Sequence, residues 1–250
     1  MRRGSDRGNG TGATVAPEFS ALTDRGVKRD ENQDAVLATS LPDGRTLLAV
    51  ADGVGGADDG AAASKTALER LEAAVNEARD AAAALTRGYA AAHEAVESLG
   101  SGDRRPATTL VAVLVEGARA WIANVGDSRA YVADDDGLHQ LTEDHSWVAD
   151  QVRAGRLTPE EARKSNMRNI ITRAIGSSDS PGPDLSGPLT LSSGETLVLT
   201  SDGLHGLLEE EEIAAVIAAD GPDEAAQRLI QMARDAGGPD NISVVIYRAP

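Results

Sequence analysis

The sequence predicts an α+β domain of antiparallel strands with helices on its flanks, and three observations carry that prediction. Short apolar runs closed by glycine, aspartate or asparagine recur through the chain. Two alanine-rich stretches repeat leucine and valine at helical spacing, and no linker divides the 250 residues into separate units. Hydrophobic residues make up 41% but aromatics only 2%, so the core has to be built from Ala, Val, Leu and Ile.

In chain order, residues 1–17 are rich in Gly, Ser, Arg and Thr and read as a disordered tail, which leaves 18–250 as one domain. A strand is expected at 19–23, then a polar loop to Asp34. A second strand at 35–39 turns through Pro42-Asp43-Gly44 into a third at 46–51. Two amphipathic helices follow, at 58–78 with Leu68, Leu71 and Val75 on one stripe, and at 80–99. From Ala107 the period changes to two. Residues 109–115, 118–125 and 128–133 therefore read as an antiparallel meander with turns at Glu116-Gly117 and Gly126-Asp127. Residues 141–175 read as helical and charged, with a fresh helix start at Thr158-Pro159-Glu160-Glu161: threonine as cap, proline first, glutamate at the third position. Residues 176–187 read as a Ser/Pro/Gly loop, 196–201 as a strand, 209–219 and 222–236 as short helices, and 242–248 as the last strand.

Composition excludes several function classes. With 24 basic against 40 acidic residues the formal net charge is −16, which repels phosphate backbones and anionic lipid; neither nucleic acid nor a membrane surface is an expected partner. The absence of cysteine excludes disulfides, thiolate metal sites and a cysteine nucleophile. The start Met1-Arg2-Arg3 has no apolar stretch behind it and no apolar run reaches transmembrane length, so a soluble cytoplasmic protein is expected.

The chemistry gathers around Leu47–Gly56, an apolar run ending in Asp52 and a glycine-rich turn. Gly53 lets a ligand or ion approach the backbone, since it has no Cβ. One such aspartate is usually only a turn residue. Here Asp34, Asp202 and Asp240 also stand at strand ends beside Gly, Pro or Asn, and Asp127 is a fifth. Were those ends to converge, the carboxylates would repel by several kcal/mol unless protonated or bridged by cations. With carboxylate, carbonyl and water oxygens as the donors, Mg²⁺ or Mn²⁺ is favoured over zinc.

The blocks TDRGVKRDENQD, LLAVADGVGG, ATTLVAVLV, IANVGDSRAYV, ITRAIG, LVLTSDGL and GGPDNISVVI, in that order and spacing, resemble the metal-dependent type 2C protein phosphatases in their compact bacterial form. The resemblance implies two packed antiparallel sheets flanked by helices on both sides, an α-β-β-α sandwich, with a helical flap near 145–178 beside the active site. It implies hydrolysis of phosphoserine and phosphothreonine in proteins, opposing serine/threonine kinases, by attack of a metal-bridging hydroxide, in a protein expected to act as a monomer. Asp52 would bridge two ions and the Gly53 carbonyl would bind one of them. Asp202 and Asp240 would hold the first ion, Asp34 would hold a metal-bound water or support the ligands from behind, and Asp127 with Asp202 would hold a third, weaker ion. Arg29 would grip the substrate phosphate, for which its planar fork is suited.

The chain departs from the eukaryotic pattern twice: Gln33 replaces a glutamate that binds the second metal, and Val54 replaces a histidine proposed as general acid. None of His93, His139, His145 and His205 is spaced as a metal pair; His93 is expected on a helix surface and His205 in a loop. Of the flap arginines Arg153, Arg156, Arg163, Arg168 and Arg173, the last is expected to hold a fixed structural or substrate-side role. Two alternatives are a phosphatase dedicated to an anti-sigma-factor antagonist and a non-catalytic phosphoprotein-binding module on the same fold. Missing metal aspartates would mark the second, and Asp52, Asp202 and Asp240 are all present.

Overall fold

The computed structural model describes residues 18–55, 57–101, 105–177 and 182–250; the expected disordered tail at 1–17 lies outside them. The chain runs β1 (Glu18–Asp24), β2 (Asp34–Ser40), β3 (Thr46–Val54), α1 (Ala57–Glu77), α2 (Ala81–Glu97), β4 (Ala107–Thr108), β5 (Leu110–Glu116), β6 (Arg119–Val125), β7 (Arg129–Asp134) and β8 (Gly137–Gln140). It continues through α3 (Trp147–Arg153), α4 (Pro159–Lys164), β9 (Asp184–Thr190), β10 (Thr196–Thr200), α5 (Asp202–His205), α6 (Glu210–Ala219), α7 (Pro222–Asp235) and β11 (Ile242–Arg248).

Two antiparallel sheets result, one ordered β1-β11-β10-β7-β8 and the other β2-β3-β5-β6-β9. Three apolar layers hold them. Leu48, Val50, Val111, Val113, Leu199 and Val245 meet between the sheets. Leu47, Ala49 and Ala51 turn the other way, onto Leu71 and Val75 of α1 and Leu85 of α2. On the opposite flank Val198, Val244 and Ile246 pack on Ile213, Val216 and Leu229 of α6 and α7. A strand buried on both faces has no polar side, which is why 47–51 reads as an unbroken apolar run.

Local signals place several boundaries. Asp80 caps α2 by accepting the Ala83 amide, and Thr158 with Glu161 forms the reciprocal cap that starts α4. Gly44 takes φ +87° in the β2–β3 hairpin.

Three expectations are corrected. Residues 109–133 are not a meander. β5 and β6 pair as a hairpin, but the far edge of β6 is taken by β9, and β7 instead joins β10 and β8 in the other sheet. Gly126, at φ +112° and with no room for a side chain against Thr109, makes the step between sheets. Residues 141–175 are helical only in α3 and α4. Gly155 (φ +67°) follows α3, and the rest is extended or turned, with a bridge between Ser146 and Ile171. The expected loop at 176–187 ends in β9, a strand whose Gly187 and Pro188 hide it from pattern reading and which is held by its pairing with β6.

Candidate active site

Register brings the five aspartates to one end of the sandwich. Asp34 opens β2 directly opposite Asp52 near the end of β3. The β3 end lies beside the start of β5, which pairs with the end of β6, and Asp127 follows there. In the other sheet Thr200, at the end of β10, pairs with Arg129 and with Val244, so Asp202 and Asp240 flank the same end. Bonds across the sheets close the corner: the Ser243 hydroxyl donates to Asp34 Oδ2 at 2.6 Å, and the Thr109 and Ser128 hydroxyls share a bond at 2.7 Å.

The backbone around Asp52 is fixed from several directions. Its N–H donates to Thr109 Oγ1 at 2.9 Å, and its carbonyl accepts from the Thr108 hydroxyl at 2.8 Å and the Thr109 N–H at 2.8 Å. Gly53 donates its N–H to the Gln33 carbonyl, and a Cβ at Gly53 would stand 2.2 Å from the Gly60 carbonyl oxygen, so no side chain fits. Gln33 is buried: its backbone binds Asn241, Gly53 and Ser64, and its side-chain amide lies against Gly60 at the start of α1. Val54 stands exposed at the rim.

Charge in this corner is only partly compensated. Asp34 is pushed up to about 7, by burial first and then by Asp202 and Asp240, against the pull of Ser243 and Ser201. Burial, then Asp34, Asp202, Asp127 and Asp240, drive Asp52 well above the carboxylate range. Asp127 rises to about 8 through burial, Asp202 and Asp144. Asp202 rises to about 6 through burial and Asp240, restrained by Asp52, Arg29 and Arg168. Asp34 Oδ1 and Asp202 Oδ1 are buried with no hydrogen-bond partner. Hard oxygen donors that repel one another and lack partners suit divalent cations. Among the described residues no three histidine or acidic side chains form a ready-made ligand set for one ion, so water and backbone oxygens would complete each shell. That is the usual manner of Mg²⁺.

Arg29 stands at the rim, about half exposed, with Nη2 donating to Asp240 Oδ2 at 2.8 Å. Its loop is tied to β11 by Asn241, whose side chain accepts from Gln33 N–H (2.9 Å) and donates to the carbonyls of Arg25 (3.0 Å) and Glu31 (2.8 Å). Asn241 and Ser243 were not singled out in the sequence; both lie in the GGPDNISVVI block, which was the available signal. Arg129, two residues beyond Asp127, is committed to Asp144: Nη2 to Oδ2 at 2.7 Å and Nε to Oδ1 at 2.9 Å.

The flap arginines separate into types. Arg153 pairs with Glu143 and Asp150, and Arg163 with Glu209. Arg156 bonds Gln151. Arg173 takes the structural role, donating to Asp184 Oδ1 and the Gly182 carbonyl, both at 2.6 Å. Arg168 is exposed and its charge favours ionised Asp202. His205 lies in the short helix α5 rather than a loop, with Nδ1 2.9 Å from the Thr200 hydroxyl, and burial keeps it neutral. His93, on α2, is half-buried and accepts the Gly176 N–H.

A carboxylate corner suited to cations, with a guanidinium at its rim, on two packed sheets between helical layers, fits a metal-dependent hydrolase of phosphate esters. A family model for protein phosphatase 2C matches residues 25–237. The protein phosphatase PhpP of Streptococcus pneumoniae serotype 2 (strain D39 / NCTC 7466) is 38% identical over 240 residues, covering 92% of this chain and 96% of that protein. The structure of the S. agalactiae serine/threonine phosphatase superposes with a TM-score of 0.87 at 34% identity, over 94% of this chain and 100% of that one. The catalytic domain of the serine/threonine phosphatase PstP, in complex with two manganese ions, superposes with a TM-score of 0.79 at 33% identity, over 93% and 97%. The chain belongs to the protein phosphatase 2C family.

Proposed function

We propose that this chain, a serine/threonine protein phosphatase by family, holds Mg²⁺ or Mn²⁺ at the carboxylate corner and hydrolyses phosphoserine and phosphothreonine in proteins phosphorylated by serine/threonine kinases. The observation that carries the reading is the convergence of Asp34, Asp52, Asp127 and Asp202, whose ionisation is opposed by burial and by one another, with two buried oxygens unpartnered. Asp52, Asp202 and Asp240 would hold the core ions with the Gly53 carbonyl, and Asp34, steadied by Ser243, would bind a coordinated water. Asp127 with Asp202 would hold a further ion. Bound cations supply a water ionised at neutral pH and offset the charge of the phosphoryl oxygens.

Arg29 spends one N–H on Asp240, which leaves the rest of its fork for two phosphate oxygens. Arg168 adds a second positive charge from the flap. Val54 carries no proton, so the leaving serine or threonine must take one from water or from a carboxyl of the corner. We infer a cytoplasmic monomer; among the described residues no helix is long and apolar enough to cross a membrane. The test is phosphate release from a phosphothreonine peptide, and from p-nitrophenyl phosphate, with Mn²⁺, with Mg²⁺ and with EDTA. Release that needs either metal supports the reading, whereas a folded protein inert with both would overturn it in favour of a phosphoprotein-binding module.

A further inference from the structure

Both ends of the flap and the turn that carries Asp127 meet at one side chain, that of His145, which is 5% exposed. Gly126 and His145 clasp one another twice: the Gly126 N–H donates to His145 Nδ1 at 3.0 Å, and the His145 N–H donates to the Gly126 carbonyl at 3.0 Å. The far end of the flap is tied to the same residue, because Thr172 N–H donates to the His145 carbonyl at 2.8 Å. On the other side of the ring Nε2 lies 3.0 Å from Asp184 Oδ2 and 2.8 Å from Arg173 Nη1.

A backbone N–H can only donate, so Nδ1 must carry the lone pair and Nε2 the proton. Nε2–H then donates to Asp184, whose other oxygen takes Arg173; the 2.8 Å approach of Arg173 Nη1 to Nε2 is therefore two donors drawn together by a shared carboxylate and not a hydrogen bond. Burial, and then Arg173, hold the ring neutral against the pull of Asp184, which keeps Nδ1 an acceptor. Gly126 cannot reach its position by any other residue's geometry: its φ is +112°, and a Cβ would stand 2.6 Å from Thr109 Cβ. The next residue is Asp127, 6% exposed. Thus the placement of the Asp127 carboxylate depends on where Nδ1 holds the preceding amide.

We propose that His145 is a positioning residue: its Nδ1 fixes the Gly126 amide, and with it the Asp127 carboxylate, relative to both ends of the flap. This rests on the reading of Asp127 as a site residue, and a pair of variants tests it. Asparagine can place its amide oxygen near the position of Nδ1, and glutamine near that of Nε2. His145→Asn should keep turnover within about threefold of the parent, while His145→Gln, which keeps contact with Asp184 but releases Gly126, should lose about tenfold, the scale of one buried hydrogen bond. A readout free of activity is nitrogen-15 NMR of the metal-free protein. It should show the Nε2-protonated tautomer of His145, and a Gly126 amide protected from exchange in the parent and His145→Asn but not in His145→Gln. Melting curves establish that each variant is folded.

Equal turnover in the two variants, or an unprotected Gly126 amide in the parent, would overturn the proposal. Asp127→Ala, assayed alongside, separates the two levels. If it is fully active, the reading of Asp127 fails and the proposal with it. If it is impaired while His145→Gln matches the parent, the positioning role alone fails.

Discussion

Two kinds of buried carboxylate stand side by side at this end of the sandwich, and they are built on opposite terms. Asp144 receives Nε and Nη2 of Arg129 and a further bond from Gln140, and its 14% exposure is matched by full partnership. Asp52, Asp127 and Asp202 sit among one another instead, each raised by burial and then by its acidic neighbours, and one oxygen of Asp202 bonds to nothing. The same residue type is thus held by a full guanidinium fork at Asp144, whereas at Asp52, Asp127 and Asp202 like charges and burial outweigh the more distant arginines. A partnered acid stabilises the fold; an unpartnered cluster is a standing cost that a cation removes.

The largest effect should come from neutralising the cluster. Asp52→Asn is expected to lower turnover by on the order of a thousandfold or more through loss of cation binding. The same change should raise the melting temperature of the metal-free protein, because it deletes a repelling charge. Turnover near the parent's after full metal titration would break the assignment. Arg29→Ala should act next, raising KM for a phosphopeptide about ten- to a hundredfold, as loss of charge-assisted bonds to phosphate does; an unchanged KM would remove its phosphate role. Asp127→Ala should cost about tenfold in turnover with the two core ions retained, checked by metal stoichiometry.

Asp144→Asn should show the reverse of Asp52→Asn. It leaves Arg129 half-answered and costs about 1–3 kcal/mol, a melting decrease of several degrees with turnover largely kept. A rise in melting temperature would show that Asp144 belongs with the strained set after all. The smallest effect is one of pH. Asp202, Asp34 and Asp127 titrate at about 6, 7 and 8 in the fold, above the unfolded value near 3.8. Between about pH 4 and 8 the folded chain therefore keeps protons that the unfolded chain has lost, and stability falls as pH rises. In EDTA the protein should melt lower at pH 8 than at pH 5, and Mn²⁺ should raise melting more at pH 8. Identical EDTA curves at the two pH values would mean the carboxylates are not strained.

What the sequence disclosed follows from whether a signal is local. The last strand was legible to the residue, because 242–248 is apolar and entered through Gly237-Gly238-Pro239-Asp240. The cap of α4 was equally plain, since Thr158 and Glu161 bond each other within one turn. The step of β7 into the other sheet was not, because Gly126-Asp127 looks like a hairpin turn and only the pairing of β6 with β9 shows otherwise. β9 itself is made by its neighbour and not by its own residues. In the site, strand-end aspartates beside glycine were visible and the family resemblance supplied their roles. The residues that hold the site together were not visible: Asn241, Ser243 and His145 act through bonds to residues 208, 209 and 19 positions away.

The strand order carries a consequence for how the protein is made. β1 pairs along its whole length with β11, from Glu18 opposite Arg248 to Asp24 opposite Ile242. During synthesis the β2–β3 hairpin can set Asp34 against Asp52 early, while Ser243, Asp240 and Asn241 are still to be translated. Closing so distant a pairing is slow, and until it happens β1, an edge strand in the finished sheet, has neither edge paired. A nascent or truncated chain therefore carries half a catalytic corner, and phosphatase activity should emerge in a single late event, when the last strand docks on the first.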